Sequence, residues 1–172
     1  MSKTIITWDQ YFMGVAKLSA CRSKDPNTQV GACIVNPENR IVGVGYNGLP
    51  MGCEDTEFPW SVREGDLYVT KYPYVVHAEL NAILNCAQHG IACNESTAYI
   101  TGPPCCSCLQ YMYQAGISEI YFANNNHAHM CLNKEYETQF EILAHLMQTM
   151  KIFCLDIDDE TLKKIEKIQS CA

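Results

Sequence analysis

Residues 134–150 read KEYETQFEILAHLMQTM, and this stretch decides the fold. Tyr136, Phe140, Leu143 and Met147 recur on one face at helical spacing, which predicts a helix from Lys134 to Met150. A short strand-like run, Glu119 to Phe122, precedes it, and another, Lys151 to Ile157, follows it. A tight hairpin between the two runs would make the last strand antiparallel. A helix of this length is a crossover and makes it parallel.

Upstream, Thr97 to Thr101 reads as a strand and Cys105 to Ala115 as a helix stopped by Gly116, where left-handed backbone is needed. His77 to Gln88 reads as a further helix. Gln29 to Val35 and Ile41 to Tyr46 are two strands joined by a turn at Asn36-Pro37-Glu38-Asn39, forming an antiparallel edge. Thr7 to Ala20 carries Trp8, Phe12, Val15 and Leu18 at helical spacing, and Thr7 with Gln10 has the form of a capping box. Gly48 to Lys71, with Pro50, Gly52, Pro59 and Gly65, is a long irregular stretch of the kind that carries function. Asp159 to Gln169 reads as a charged terminal helix. The sum is an α/β fold in three layers, α/β/α. Its mixed sheet has about five strands, the last one parallel.

The bulk numbers narrow the function. A chain of 172 residues fits one domain, here 1–172, with no repeat, linker or low-complexity tract. The net charge is −7 and the only arginines are Arg22, Arg40 and Arg63, so no basic stripe is available to follow a nucleic-acid backbone. Eleven cysteines is an odd count, no signal-peptide pattern opens the chain, and Cys33, Cys86 and Cys154 lie in apolar runs. Buried free thiols in a reducing, cytoplasmic compartment are expected. No apolar stretch approaches the length of a membrane span.

The chemistry is carried by His77-Ala78-Glu79 and Pro104-Cys105-Cys106-Ser107-Cys108. Cys105 and Cys108 are spaced i, i+3, so on a helix both sulfurs face one ion. Pro103 and Pro104 suit the entry to that helix. One imidazole and two thiolates make three ligands for zinc and leave the fourth tetrahedral position to water, the mark of a catalytic site. The ion's charge is cancelled by the two thiolates, so this centre acidifies water less than one held by three histidines. Glu79 is placed to take the proton, pass it to a ring nitrogen and deliver one to a leaving amine. Cys106 sits about 100° of helix away from Cys105 and reads as a packing residue.

Ser23-Lys24-Asp25-Pro26-Asn27-Thr28-Gln29-Val30-Gly31-Ala32, then Gly45-Tyr46-Asn47-Gly48, then Thr70-Lys71-Tyr72-Pro73-Tyr74-Val75-Val76-His77-Ala78-Glu79-Leu80-Asn81-Ala82 closely resemble the deoxycytidylate (dCMP) deaminase family, within the cytidine/deoxycytidylate deaminases. The likeness runs from Trp8 to about Phe122. It implies a cytidine deaminase-like fold and hydrolysis of dCMP to dUMP and ammonia, supplying thymidylate synthesis. It also implies one Zn2+ per subunit, a homohexamer, and regulation by dCTP (activating) and dTTP (inhibiting), with Mg2+ accompanying the triphosphate. By position, His77, Cys105 and Cys108 match the zinc ligands and Glu79 the proton donor. Asn47 matches a sugar contact, Val30 packs on the base, and Ala78 offers its backbone N–H. Asn27 is assigned to the phosphate end, with Lys24 or Lys71 nearby. Taken alone, Asn47-Gly48 is a turn dipeptide, Val30 a core valine, and the two lysines solvated surface charges.

Three departures stand out. Many relatives carry Phe-Pro-Cys-Asn-Glu-Cys where this chain has Pro103 to Cys108. His127 replaces a tyrosine that packs near the base; it could stack on cytosine, act behind the site, or be loop. Ser61-Val62 stand where close relatives have arginines, which predicts weaker dCTP sensitivity. Two other readings stay open: a zinc deaminase for free cytidine, tRNA adenosine or a pterin-like heterocycle, and a non-catalytic nucleotide-binding scaffold. An acidic pI near 5.1 opposes tRNA, and an intact Glu79 opposes the scaffold. Phe58 and Trp60 in the long loop suit a subunit or nucleotide interface, or a loop tucked onto its own domain.

Overall fold

The computed structural model describes residues 5–62, 66–123, 145–146 and 148–155. Among the described residues the named α-helices are α1 (Trp8–Ala20), α2 (Ala78–Gln88) and α3 (Cys106–Gln114). Five strands are β1 (Gly31–Val35), β2 (Ile41–Tyr46), β3 (Thr97–Ile100), β4 (Glu119–Ala123) and β5 (Lys151–Leu155), in the order β2-β1-β3-β4-β5. β1 runs antiparallel to both β2 and β3, while β3, β4 and β5 are mutually parallel. The parallel last strand expected from residues 134–150 is present, with Glu119 opposite Lys151 and Ala123 opposite Leu155. Of that stretch, residues 145, 146, 148 and 149 are helical, and Met150 N donates to Leu146 O at 2.8 Å. Residues 134–144 and 147, the segment 159–169 and His127 with His129 lie outside the described residues.

Strand alternation explains the layers. On β1, Ala32 and Ile34 face one side and Cys33 and Val35 the other, and all are buried. The first face continues through Ala98, Ile100 and Ile120 and is covered by Ala78, Ala82 and Cys86 of α2 and Leu109 and Met112 of α3. The second runs through Tyr99 and Ala123 and is covered by Phe12, Met13 and Ala16 of α1. A strand covered on both faces reads as a continuous apolar run, as Ala32-Cys33-Ile34-Val35 does. Each large side chain so buried contributes roughly 1.5–3 kcal/mol.

α1 starts at the expected capping box: Thr7 Oγ1 accepts from Gln10 N, and Gln10 Oε1 accepts from Thr7 N. Its buried face differs from the one the large residues mark. Phe12, Met13, Ala16 and Ala20 are inside, whereas Trp8 is 59% and Leu18 52% exposed. The helix backbone lies so close to β1 that a Cβ on Gly31 would fall 2.0 Å from Ala16 O. Only small residues fit that seam, and counting bulky apolar positions passes over alanines.

α2 is seated in the same way on β2. A Cβ on Gly45 would fall 2.2 Å from Ala78 O and 2.4 Å from Ala82 N. Asn81 Nδ2 donates to Tyr46 O at 2.7 Å, and Gly48 and Val76 exchange backbone hydrogen bonds of 2.8 and 3.1 Å. These contacts pin the start of α2 to the end of β2. Gly116 ends the α3 region with φ +87°, as expected. The loop aromatics are tucked in: Phe58 packs on Tyr74 with ring centroids 5.4 Å apart, and Trp60 Nε1 donates to Asp55 O. Cys33 and Cys86 are buried, but Cys154, on the edge strand β5, is exposed. Among the described residues no helix is long and apolar enough to cross a membrane.

Candidate metal centre and active site

His77 and Cys105 occupy equivalent places, the N-caps of α2 and α3. Both have extended backbone (ψ 153° and 165°) and neither side chain caps its own helix. An N-cap normally spends its side chain on the first free N–H groups. Here the two side chains turn to each other instead, and two positive helix ends point toward them, which favours anionic sulfur. Cys108, two residues into α3, completes the group.

Cys105 Sγ lies 3.6 Å and Cys108 Sγ 3.4 Å from His77 Nδ1. All three donor atoms lie within 4.8 Å of one another. A tetrahedral zinc with Zn–N of ~2.05 Å and Zn–S of ~2.3 Å requires N···S separations of about 3.6 Å. The donor set therefore fits zinc in type and in spacing, with Nδ1 as the imidazole ligand. Cys106 is buried beside this group and is not one of the three donors. Hydrogen bonding between the two sulfurs holds the Cys105 thiol well below its usual range and pushes Cys108 up. Contact with Cys105 raises His77.

Glu79 is only 5% exposed. Burial raises its pKa, opposed by the nearby His77 and by contact with the Cys108 thiol. A carboxyl group held in this way exchanges its proton closer to neutrality than an exposed one, which suits a group that must both take and give.

A cavity of about 410 Å³ opens onto His77, Glu79 and Cys105. Asn27, Val30, Asn47 and Ala78, all singled out from the sequence, line it as well. His127 lies outside the described residues. The Asn47 amide is heavily engaged. Its Nδ2 donates to Asp25 Oδ2 (3.1 Å) and Thr28 O (2.9 Å), and its Oδ1 accepts from Val30 N (2.8 Å). Asn47 is thus a brace for the 25–30 wall, more than the turn residue its dipeptide suggests. Asn27 Nδ2 is held by Trp60 O at 2.7 Å.

The two lysines part company. Lys24 is exposed and pairs with Asp55 at the surface, as a solvated charge would. Lys71 is buried, pairs with Asp25 and lines the cavity. Nothing in composition or spacing singles out Asp25. The available signal is Asp25-Pro26-Asn27-Thr28, where an aspartate accepts from the backbone two and three residues on.

A corner of three donors that could hold a metal, beside a buried carboxyl group in an α/β/α sheet protein, is the arrangement used by the zinc-dependent hydrolases that remove amino groups from nucleobases. The chain belongs to the cytidine and deoxycytidylate deaminase family, whose zinc-binding region model matches residues 6–124. It is 51% identical over 122 residues to the deoxycytidylate deaminase of Pongo abelii, covering 71% of this chain and 67% of the relative. The figures are the same for the Homo sapiens deoxycytidylate deaminase. The crystal structure of dCMP deaminase from the cyanophage S-TIM5 in apo form superposes with a TM-score of 0.63 at 23% identity. That match covers 86% of this chain and 96% of that one and bears on the fold.

Proposed function

We propose that the chain hydrolyses dCMP to dUMP and ammonia, with one zinc held by His77, Cys105 and Cys108 and with Glu79 as the proton carrier. The observation that carries this is the buried Glu79 beside three donors of zinc geometry, in a chain half identical to relatives named deoxycytidylate deaminase. Bound zinc supplies Lewis acidity, lowering the pKa of water for attack on the amine-bearing ring carbon. Glu79 would take one proton from the attacking water and give it to ring nitrogen N3, then take the second from the hydroxyl added to the ring carbon and give it to the departing amine as the C–N bond breaks. Val30 packs against the base, and the Ala78 N–H, at the head of α2, is directed to it. Asn47 holds the wall and keeps one free lone pair on Oδ1 for a sugar hydroxyl. Asn27 serves the phosphate end, and His127 is assigned to the base by the resemblance alone, as the replacement of the family tyrosine.

Residues 1–172 make one domain in this reading, working in the cytoplasm, where buried free thiols persist. A homo-oligomer, a hexamer as the resemblance implies, carries any dCTP or dTTP control, with Mg2+ on the triphosphate. Ser61 and Val62 weaken that control. The test is ammonia release from dCMP, CMP, deoxycytidine and dCTP side by side, with and without micromolar dCTP. Fastest release from dCMP supports the proposal. No release from dCMP by zinc-loaded protein refutes it, and a sigmoidal dCMP curve made hyperbolic by dCTP refutes the weakened control.

A further inference from the structure

Lys71 is a nine-tenths buried ammonium (side chain 9% exposed) in the cavity wall. Among the described lining residues it is the one lysine or arginine. It also sits 46 residues along the chain from its partner, Asp25, whose side chain is fully buried. The Asp25 carboxylate is saturated. It accepts from Asn27 N (2.8 Å), Thr28 N (3.1 Å), Asn47 Nδ2 (3.1 Å) and Lys71 Nζ. An ionised carboxylate has about four acceptor sites, so nothing is left over to bind a ligand.

Lys71 differs. An ammonium has three N–H donors. Among the described residues, Asp25 is its one side-chain partner. Two donors on a buried cation remain for whatever fills the cavity, and leaving them unmet is costly. Acceptor-rich, anionic groups answer that need best. The cavity's remaining wall is neutral amide, the hydroxyl-bearing Thr28 and Tyr72, apolar side chain, the Glu79 carboxyl and the candidate ligands His77 and Cys105, so Lys71 is its one ammonium or guanidinium among the described residues.

We propose that Lys71 is the cation that recognises the substrate's phosphate, held in place by Asp25, and that it sets the preference for a nucleoside monophosphate over the free nucleoside. This rests on the deaminase reading above and deepens it. Asp25 is a positioning residue: it fixes Lys71 on one oxygen and the backbone of Asn27 and Thr28 on the other. The ammonium and the Asn27 end of the wall thereby converge on one phosphate. The pair is neutral overall, so the empty cavity has no net charge from it to attract larger polyanions.

The experiment compares wild type, Lys71→Gln, and Asp25→Asn/Lys71→Gln. The double variant avoids leaving a buried carboxylate unpaired, a change that can unfold a chain by itself. The readout is the ratio of kcat/KM for dCMP to that for deoxycytidine, which has no phosphate and sets each variant's baseline. A charge-assisted contact predicts a fall in that ratio of about 10–100-fold, mostly in KM, because the phosphate is remote from the reacting carbon. An equal fall for both substrates overturns the inference and leaves Lys71 as wall. Calorimetric binding of 2-deoxyribose 5-phosphate is a second readout that needs no turnover. It should weaken by a similar factor in the double variant, and equal binding overturns the inference. Wild type that binds the sugar phosphate but releases no ammonia from dCMP sinks the deaminase reading while leaving Lys71 as a phosphate site.

Discussion

Replacing Gly45 by alanine should damage the metal centre from a distance. The new methyl carbon would lie 2.2 Å from Ala78 O and 2.4 Å from Ala82 N, both backbone atoms of α2. Carbon in contact needs ~3.5 Å, so the helix must lift from β2 by about 1 Å. Overpacking of this type costs roughly 1–3 kcal/mol. The same displacement carries His77 and Glu79 at the head of α2, while Cys105 and Cys108 stay with α3. Metal–ligand distances tolerate shifts of only about 0.2 Å, and a misplacement near 1 Å costs turnover on the order of 10²-fold. Urea unfolding, zinc content by elemental analysis and ammonia release measure the three effects. Gly48→Ala is the control, because its Cβ would meet nothing closer than Tyr46 Cε2 at 3.9 Å. If Gly45→Ala matches wild type within about 0.5 kcal/mol and keeps full zinc and turnover, the seat of α2 on β2 does not set the site.

Three further expectations follow from the same geometry. Glu79→Gln should retain zinc, measured by elemental analysis, and lose roughly 10²-fold or more in turnover; near-normal ammonia release would remove Glu79 from the mechanism. Cys108→Ser should lose zinc affinity while Cys106→Ser keeps it, and protection of Cys106 from alkylation by metal would instead indicate a closed, four-ligand site. Burial pushes the Cys33 thiol from 9.0 up to about 12. The folded chain keeps a proton that the unfolded chain releases, so this stability is complete below about pH 9 and is lost as pH rises toward 12, by up to ~1.4 kcal/mol per pH unit. Denaturation at stepped pH should show that decline, and a Cys33→Ala variant with an equally steep decline would contradict it.

Much of the architecture was legible in the residues because its causes are local or periodic. The Thr7–Gln10 box, the Asn36–Asn39 turn, the Gly116 stop and the alternation along β1 each depend on neighbours a few residues away. The face of α1 was not legible. Its burial is set by how closely Ala16 and Ala20 approach Gly31 across the sheet, and hydrophobicity alone favours Trp8 and Leu18, which are exposed. Lys24 and Lys71 were indistinguishable as letters; tertiary placement put one in solvent and the other in the wall of the cavity.

The amino-acid order by itself singled out His77, Cys105 and Cys108 as the candidate metal donors. An i, i+3 cysteine pair on one helix and a histidine two residues before a glutamate are short-range facts, and helix geometry converts them directly into a face. Only the fold brought Nδ1 to within 3.4 and 3.6 Å of the two sulfurs, and only the fold closed Asp25, Asn47 and Lys71 around one carboxylate. Those contacts join segments separated by tens of residues. Their meeting depends on how sheet and helices pack, a property of the whole chain that no window of sequence contains.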